Sequence, residues 1–393
     1  MNLLFYRYGS ICEPDMMAGF RELGFHVSEI REEMTNKNLL PSDSVKLVSQ
    51  FLLDHPQDFV FSVNFFPTIS DICNIFRIPY LCWSVDSPVM EFFSKSVQNT
   101  CNRIFLFDRV QYEEIAPLNP GHVFHLPLAV NVTGKQNVIQ NAAPSDIKRF
   151  TSDVSFVGSL YTEKCPYNKL ALSPFSYLNG YLQGLMEAQL KVYGGYFIED
   201  ALSDSIVKEF KEHMPGFYEN PSEKFLTDRM TVAQLYIGNK ITELERLRTV
   251  ELLSSHFSFD LYTGSDTSSL PLVHNKGLAK TLTEMPIIFH ESRINLNTTS
   301  KAIRSGLPLR VFDILACEGF VLTNYQSELP ELFTIGQDLV SYGSMEEMLD
   351  LTAYYLEHDK ERKEIAHNGF EKVMRTCTYP IRLEQMLQMA FPE

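Results

Sequence analysis

The sequence predicts an α/β protein built on parallel sheets, and three observations carry that prediction. From Met1 to about Val130, short apolar runs alternate with segments of helical period. The alternation halts in a polar stretch at 131–148 and resumes at Asp153. Near the end, residues 295–331 read as strand end, loop, short helix, strand and loop. Strands alternating with helices argue for a parallel sheet covered on both faces. A chain of 393 residues suits two domains. The breaks fall to give domains at 1–145 and 146–377, followed by a last helix at 378–393.

In the first half, Leu3 to Tyr6 is a short apolar strand, and Met16, Phe20 and Leu23 follow at helical spacing up to Gly24. Phe25 to Ile30 is the next strand. Val45, Val48 and Leu52 fit a helix ending near Pro56, Asp58 to Val63 a strand, and Ile69 to Phe76 a helix. Pro79 to Trp83, Asn102 to Phe107 and His122 to Leu128 supply further strands. No Gly-x-Gly-x-x-Gly follows the first strand, and Tyr8-Gly9-Ser10 is only a short turn. An ordinary dinucleotide dehydrogenase is therefore disfavoured. The single Trp opens Trp83-Ser-Val-Asp86-Ser87-Pro88, just after a buried strand. Asp86 lies where a catalytic group of an α/β domain sits. The same residues also fit a helix cap, with Pro88 in the first turn. His125 falls inside a strand pattern, which suits a core histidine.

Residues 131–148 lack periodicity and contain Gly, Pro, Asn and Ser, so they read as a linker. The strand that follows ends in Gly158-Ser159, with Lys164 six residues after the glycine. Taken alone, Lys164 reads as a surface lysine. Residues from about 165 to 256 are helical in pattern. Phe257 to Tyr262 is a strand leading to Gly264, which either approaches a nucleotide or forms a plain turn. Ile294 to Thr299 closes another strand, where Asn297 and Thr298 have groups to donate to phosphate or sugar oxygens. Pro308 and Gly319 bracket a helix in which Leu309, Phe312, Leu315 and Ala316 share a face. Arg310 and Asp313 lie one turn apart on it. Phe320 to Thr323 is the next strand, and ligands bind beyond the carboxyl ends of such strands. Asp338 to Tyr342 is a strand, Ser344 with Glu347 forms a capping box, and three helices complete the chain.

The run Arg310-Val-Phe-Asp313-Ile-Leu-Ala-Cys-Glu-Gly319-Phe-Val-Leu-Thr323 resembles the donor-binding segment of CgeB-like glycosyltransferases of the spore maturation protein type. The resemblance implies the GT-B fold, with two Rossmann-like domains facing across a cleft and a last helix returning to the first domain. It implies a bacterial enzyme whose C-terminal domain holds a nucleotide sugar. An acid at the position of Asp313 contacts the ribose in relatives of that fold, commonly as Glu. Many such enzymes carry Gly-Arg and a following Lys at the diphosphate; here Gly158 and Lys164 remain, with Ser159 for the Arg. Many retaining members also carry a Glu eight positions before the ribose acid, where this chain has Ser305.

Composition narrows the function. A net charge of −15 argues against nucleic-acid binding, yet local Arg, Lys and helix N-termini still bind a nucleotide anion. No apolar run is long enough for a transmembrane helix, and the N-terminus has no basic region or cleavage site, so a cytoplasmic location is expected. Seven cysteines form no Cys-x-x-Cys pair, which suggests neither a disulfide framework nor a zinc site. No Asp-x-Asp sits at a strand end, so metal-independent transfer is expected.

Sugar transfer requires stabilisation of the leaving diphosphate and deprotonation of an acceptor hydroxyl. Arg310 and Lys164 are the candidates for the diphosphate, and Asp313 for the ribose. Gly158, Ser159, Gly264, Asn297 and Thr323 complete the expected donor site, and Asp86 is the expected base. No cofactor is expected beyond the nucleotide-sugar co-substrate, with UDP the expected nucleotide. The acceptor would be a polysaccharide or a protein, at a spore or cell surface. Two alternatives remain: a non-catalytic two-domain binding subunit, and a GT-B-shaped epimerase.

Overall fold

The computed structural model describes residues 1–36, 39–219 and 225–392. The chain divides into two compact units. One comprises Met1–Val130, Asn220–Leu226 and Cys377–Glu393; the other comprises Asn131–Glu219 and Thr227–Thr376.

The first unit has six parallel strands, β1 (Asn2–Tyr6), β2 (His26–Ile30), β3 (Phe59–Val63), β4 (Tyr80–Trp83), β5 (Asn102–Leu106) and β6 (Val123–His125). Their spatial order is β2-β1-β3-β4-β5-β6. Every residue of β3 and β4 is buried, as expected of continuous apolar runs in a sheet covered on both faces. Phe5, Phe20 and Phe61 pack together, with ring centroids 5.0 Å (Phe5–Phe61) and 5.1 Å (Phe20–Phe61) apart. The last helix, Tyr379–Ala390, packs on the helix Glu13–Glu22 at Gly19. A methyl group at Gly19 would lie 2.8 Å from Leu383 Cδ1. Trp83 anchors the same region, donating from Nε1 to the Leu126 carbonyl and meeting the Tyr379 ring edge-on.

The second unit has β7 (Ser152–Val157), β8 (Phe259–Tyr262), β9 (His274–Asn275), β10 (Ser292–Asn297), β11 (Val321–Asn324) and β12 (Val340–Tyr342). All are parallel, in the order β12-β11-β10-β7-β8-β9. Counted within the unit this is 6-5-4-1-2-3, the Rossmann order read from the other edge. Between β7 and β8 runs a helical layer with its own apolar core, including Leu182, Ile198, Phe210 and Tyr236. It ends in the long helix Gly238–His256.

The structure differs from the sequence reading in three places. Residues 131–148 are not an irregular linker: they form most of two helices, Val132–Gln140 and Pro144–Phe150. Asn131 caps the first by accepting from Gly134 N–H, and Pro144 opens the second, so capping overrides the missing periodicity. Asp86 and Ser87 cap no helix. Ser87 Oγ instead donates to Asp108 Oδ2, and the next helical turn, Met90–Phe93, follows Val89. The helix Leu309–Ala316 ends where Glu318 turns left-handed at φ 56°. Gly319 serves another purpose: a Cβ there would meet the Phe289 carbonyl oxygen at 2.5 Å, so it permits a close backbone approach.

Candidate functional site

In the second unit, strand order reverses between β7 and β10. The chain leaves β7 toward β8 on one side, and β10 begins the other side. The loops after these two strands part, which opens the crevice where ligands bind in open α/β sheets. Arg246, from the helix Gly238–His256, spans it. Its Nη1 donates to the Ser159 carbonyl at 2.6 Å and its Nη2 to the Thr298 carbonyl at 2.9 Å. The guanidinium lies 4.7 Å from the Tyr161 ring centroid and 5.5 Å from that of Phe156. Burial holds its pKa below the ordinary arginine value. Its Nε and the Thr298 Oγ1 are both buried without a hydrogen-bond partner. Unsatisfied donors of this kind are costly unless something meets them.

A second charged group lies beside it. Glu245 is 1% exposed, with Lys301 Nζ 3.2 Å from its Oε1. Burial pushes the Glu245 carboxyl above its ordinary value, and Lys301 pulls it back down. The loop after β10 is held firmly: Lys301 N donates to Thr242 Oγ1, and Gln326 Nε2 donates to the Ile303 and Gly306 carbonyls. That loop leads directly into Leu309–Ala316, whose N-terminus faces no side-chain cap.

The predicted residues are placed as follows. Arg310 is half-buried on this helix, 5.2 Å from the Phe289 ring centroid. Burial lowers its pKa; Asp313 opposes that and Arg246 adds to it. Asp313 pairs with Lys135 Nζ at 2.8 Å, a partner from a helix that the sequence reading had placed in a linker. Gly158 sits where an added Cβ would meet the Phe156 ring at 3.3 Å, with Arg246 Nη1 just beyond at 3.8 Å. Ser159 Oγ donates to Glu163 Oε1 at 2.7 Å. Lys164 is exposed. Gly264 is exposed in the turn after β8, where Ser265 Oγ accepts from Leu160 N–H. Asn297 Nδ2 donates to Thr299 Oγ1 and Thr323 Oγ1. Asn297 and Thr323 thus tie β10 to β11 rather than face a ligand with free groups; the neighbouring Thr298 has the free hydroxyl.

Sequence reasoning missed Arg246, Lys301 and Glu328. Glu328 brings a buried carboxylate to Ser305, accepting from its Oγ at 2.7 Å. An acid therefore lies beside the very position that lacks one in the sequence. The signal for Arg246 was faint: one arginine among several charges in a helix of mixed pattern.

In the first unit, Asp86 follows β4 at the carboxyl edge of the sheet and is exposed. Its Oδ2 accepts from Asn64 Nδ2 at 2.8 Å, and Asn64 also donates to Tyr8 Oη. The turn after β1 is no phosphate loop: the N–H groups of Tyr8 and Gly9 donate to Glu13 Oε1. His125, half-buried at the end of β6, sits with its ring centroid 6.2 Å from that of Tyr112.

Two six-stranded parallel sheets, each with its helices, give the chain the GT-B fold. Residues 245–388, less than half of the chain, match a family model described as glycosyl transferase-like, and the match opens at Glu245. Among solved structures, a glycosyltransferase from Rickettsia africae shows 10% identity and a TM-score of 0.53, covering 100% of this chain and 99% of its own. Anabaena HepE, solved with UDP-glucose, shows 12% identity and 0.53, covering 99% and 98%. Sucrose-phosphate synthase from Thermosynechococcus elongatus shows 10% and 0.55, covering 99% and 98%. By sequence, no curated protein matches the chain. Among the described residues, no helix is long and apolar enough to cross a membrane.

Proposed function

We propose that the protein is a metal-independent, CgeB-like glycosyltransferase that moves a sugar from a nucleotide-sugar donor, with UDP as the nucleotide. The observation that carries this reading is the half-buried Arg246 clasping Ser159 and Thr298 across the switch point, with its Nε and the Thr298 Oγ1 unpartnered. A nucleoside diphosphate develops negative charge as the sugar leaves, and fixed cations in a water-poor site stabilise that charge. Arg246 and Arg310 hold the diphosphate, assisted by the N-terminus of Leu309–Ala316. Asp313, oriented by Lys135, receives the ribose hydroxyls. Lys164, exposed on the neighbouring turn, is placed to add charge rather than fixed bonds. That the Anabaena relative was solved with UDP-glucose supports the choice of nucleotide.

The acceptor is a polysaccharide or protein of a spore or cell surface. Asp86 takes its proton, held by Asn64 at the carboxyl edge of its own sheet. Asp86→Asn should lower kcat by about 10²-fold or more with the donor near saturation, the range for loss of a general base. Wild-type turnover in that variant would remove Asp86 from the mechanism.

The reading is tested by nucleotide release from UDP-, GDP-, ADP- and TDP-sugars, with and without EDTA, beside Asp313→Ala. We expect slow release from UDP-sugars, unchanged by EDTA and lost in the variant. No release and no calorimetric binding of any nucleotide would overturn it.

A further inference from the structure

The second unit contains a cavity of about 360 Å³ at the edge of its sheet, outside the switch-point crevice. It lies where the end of the helix Tyr177–Gln189 and the helix Gly238–His256 meet the start of the helix Met345–Glu357. Its size falls within the range of small-molecule sites, about 300–1,000 Å³. We propose that this cavity is a binding site for a neutral mono- or disaccharide, separate from the nucleotide crevice.

The lining chemistry selects that class. Arg248 and Glu187 form a two-pronged pair at the mouth, with Nη1 2.9 Å from Oε2 and Nη2 2.5 Å from Oε1. Glu346 and Lys191 add one charge of each sign. Glu245 also lines the cavity; it is 1% exposed and ion-paired with Lys301. Tyr193 and Met345 supply apolar surface. Three carboxylates against two cations disfavour a phosphate ligand. Lys191 and Arg248, with Lys301 behind Glu245, disfavour a polycation. An apolar ligand would cover Glu187, Glu346, Lys191 and Arg248 without hydrogen-bonding any of them. A sugar meets all of these demands. Its hydroxyls donate to the carboxylates and accept from Arg248 and Lys191, while its C–H face covers Tyr193 and Met345. Apart from Glu245, which neighbours Arg246 on the helix Gly238–His256, the lining takes no part in the glycosyl-transfer reading.

The full-length protein would be titrated with glucose, N-acetylglucosamine and maltose by saturation-transfer NMR. Glucose 6-phosphate and spermidine serve as charged controls, and each sugar titration is repeated with excess UDP. We expect at least one neutral sugar to bind, the charged controls not to, and UDP to leave sugar binding unchanged. Arg248→Met and Glu346→Gln are exposed changes compatible with folding. Each should weaken the sugar by about tenfold, the scale of one charge-assisted hydrogen bond, with UDP binding unaltered. The proposal is overturned if no neutral sugar binds, if glucose 6-phosphate binds as well as glucose, if UDP displaces the sugar, or if both variants bind sugar like wild type. Loss of UDP binding in the wild-type protein would count against the donor crevice alone.

Discussion

Arg246→Met should lower kcat/KM for the nucleotide sugar by about 10²–10³-fold, the range found when a preorganised charge-stabilising donor is removed. Two effects combine. The variant loses the cation proposed to meet the diphosphate, and it unties the loops after β7 and β10, which Arg246 holds through the Ser159 and Thr298 carbonyls. Both carbonyls then lose a charged donor in a buried setting. Methionine keeps the length and much of the packing against Tyr161 and Phe156, so the fold should survive. Arg246→Lys should recover little, because an ammonium cannot bridge two carbonyls in the planar geometry of a guanidinium. The check is steady-state kinetics together with calorimetric binding of UDP. Wild-type UDP affinity in a folded Arg246→Met protein would show that the crevice does not hold the diphosphate.

The second large effect concerns stability and depends on pH. In Lys301→Met the buried Glu245 loses its ion-pair partner, and breaking a buried pair from one side typically costs about 3–5 kcal/mol. The carboxyl can escape part of that cost by taking up a proton. The cost is then capped at about 1.4 kcal/mol for each pH unit above the unfolded value of about 4.3, or about 3–4 kcal/mol near pH 7. The sign follows from burial. Desolvation raises the folded-state pKa of Glu245, so the folded form binds more protons than the unfolded one above pH 4.3. Stability therefore falls as pH rises through that window. Removing Lys301, which opposes the rise, extends the window upward. Thermal denaturation at pH 5 and pH 8 should show a small deficit at pH 5 and a large one at pH 8. Equal deficits at both pH values, or a larger one in acid, would mean that Glu245 is not the group responsible.

The parts of the fold legible in the sequence are those set by apolar patterning. The runs at β1, β3, β7 and β11 are buried along nearly their whole length, and such runs announce parallel strands without help from the rest of the chain. The helix Leu309–Ala316 was equally plain, because its apolar face repeats at three and four. The two helices after Val130 were not, since their sequence is polar and only Asn131 and Pro144 signal them.

The site was legible in a different measure. Arg310 and Asp313 could be nominated because they stand together on a recognisable helix. Arg246, Glu245 and Lys301 escaped because a buried ion pair looks like any solvated charge until its neighbours are known. Asn297 and Thr323 show a different limit. Polar groups at a strand end suggest a ligand, yet Asn297 Nδ2 also donates to Thr323 Oγ1 across adjacent strands, a bond the sequence does not announce.

The helical layer between β7 and β8 bears on how the chain reaches this state. Val154 pairs with Phe259 at the centre of the second sheet, across the whole intervening layer. Loop-closure entropy grows only logarithmically, about 0.6 kcal/mol for each doubling of length, so the insertion costs little at equilibrium. Its kinetic consequence is larger, because distant strand pairings slow folding. The layer has its own apolar core, so early local collapse of the layer would draw the ends of β7 and β8 together before they pair. Substitutions in that core, such as Phe210→Ala, should then slow folding, which stopped-flow refolding would check.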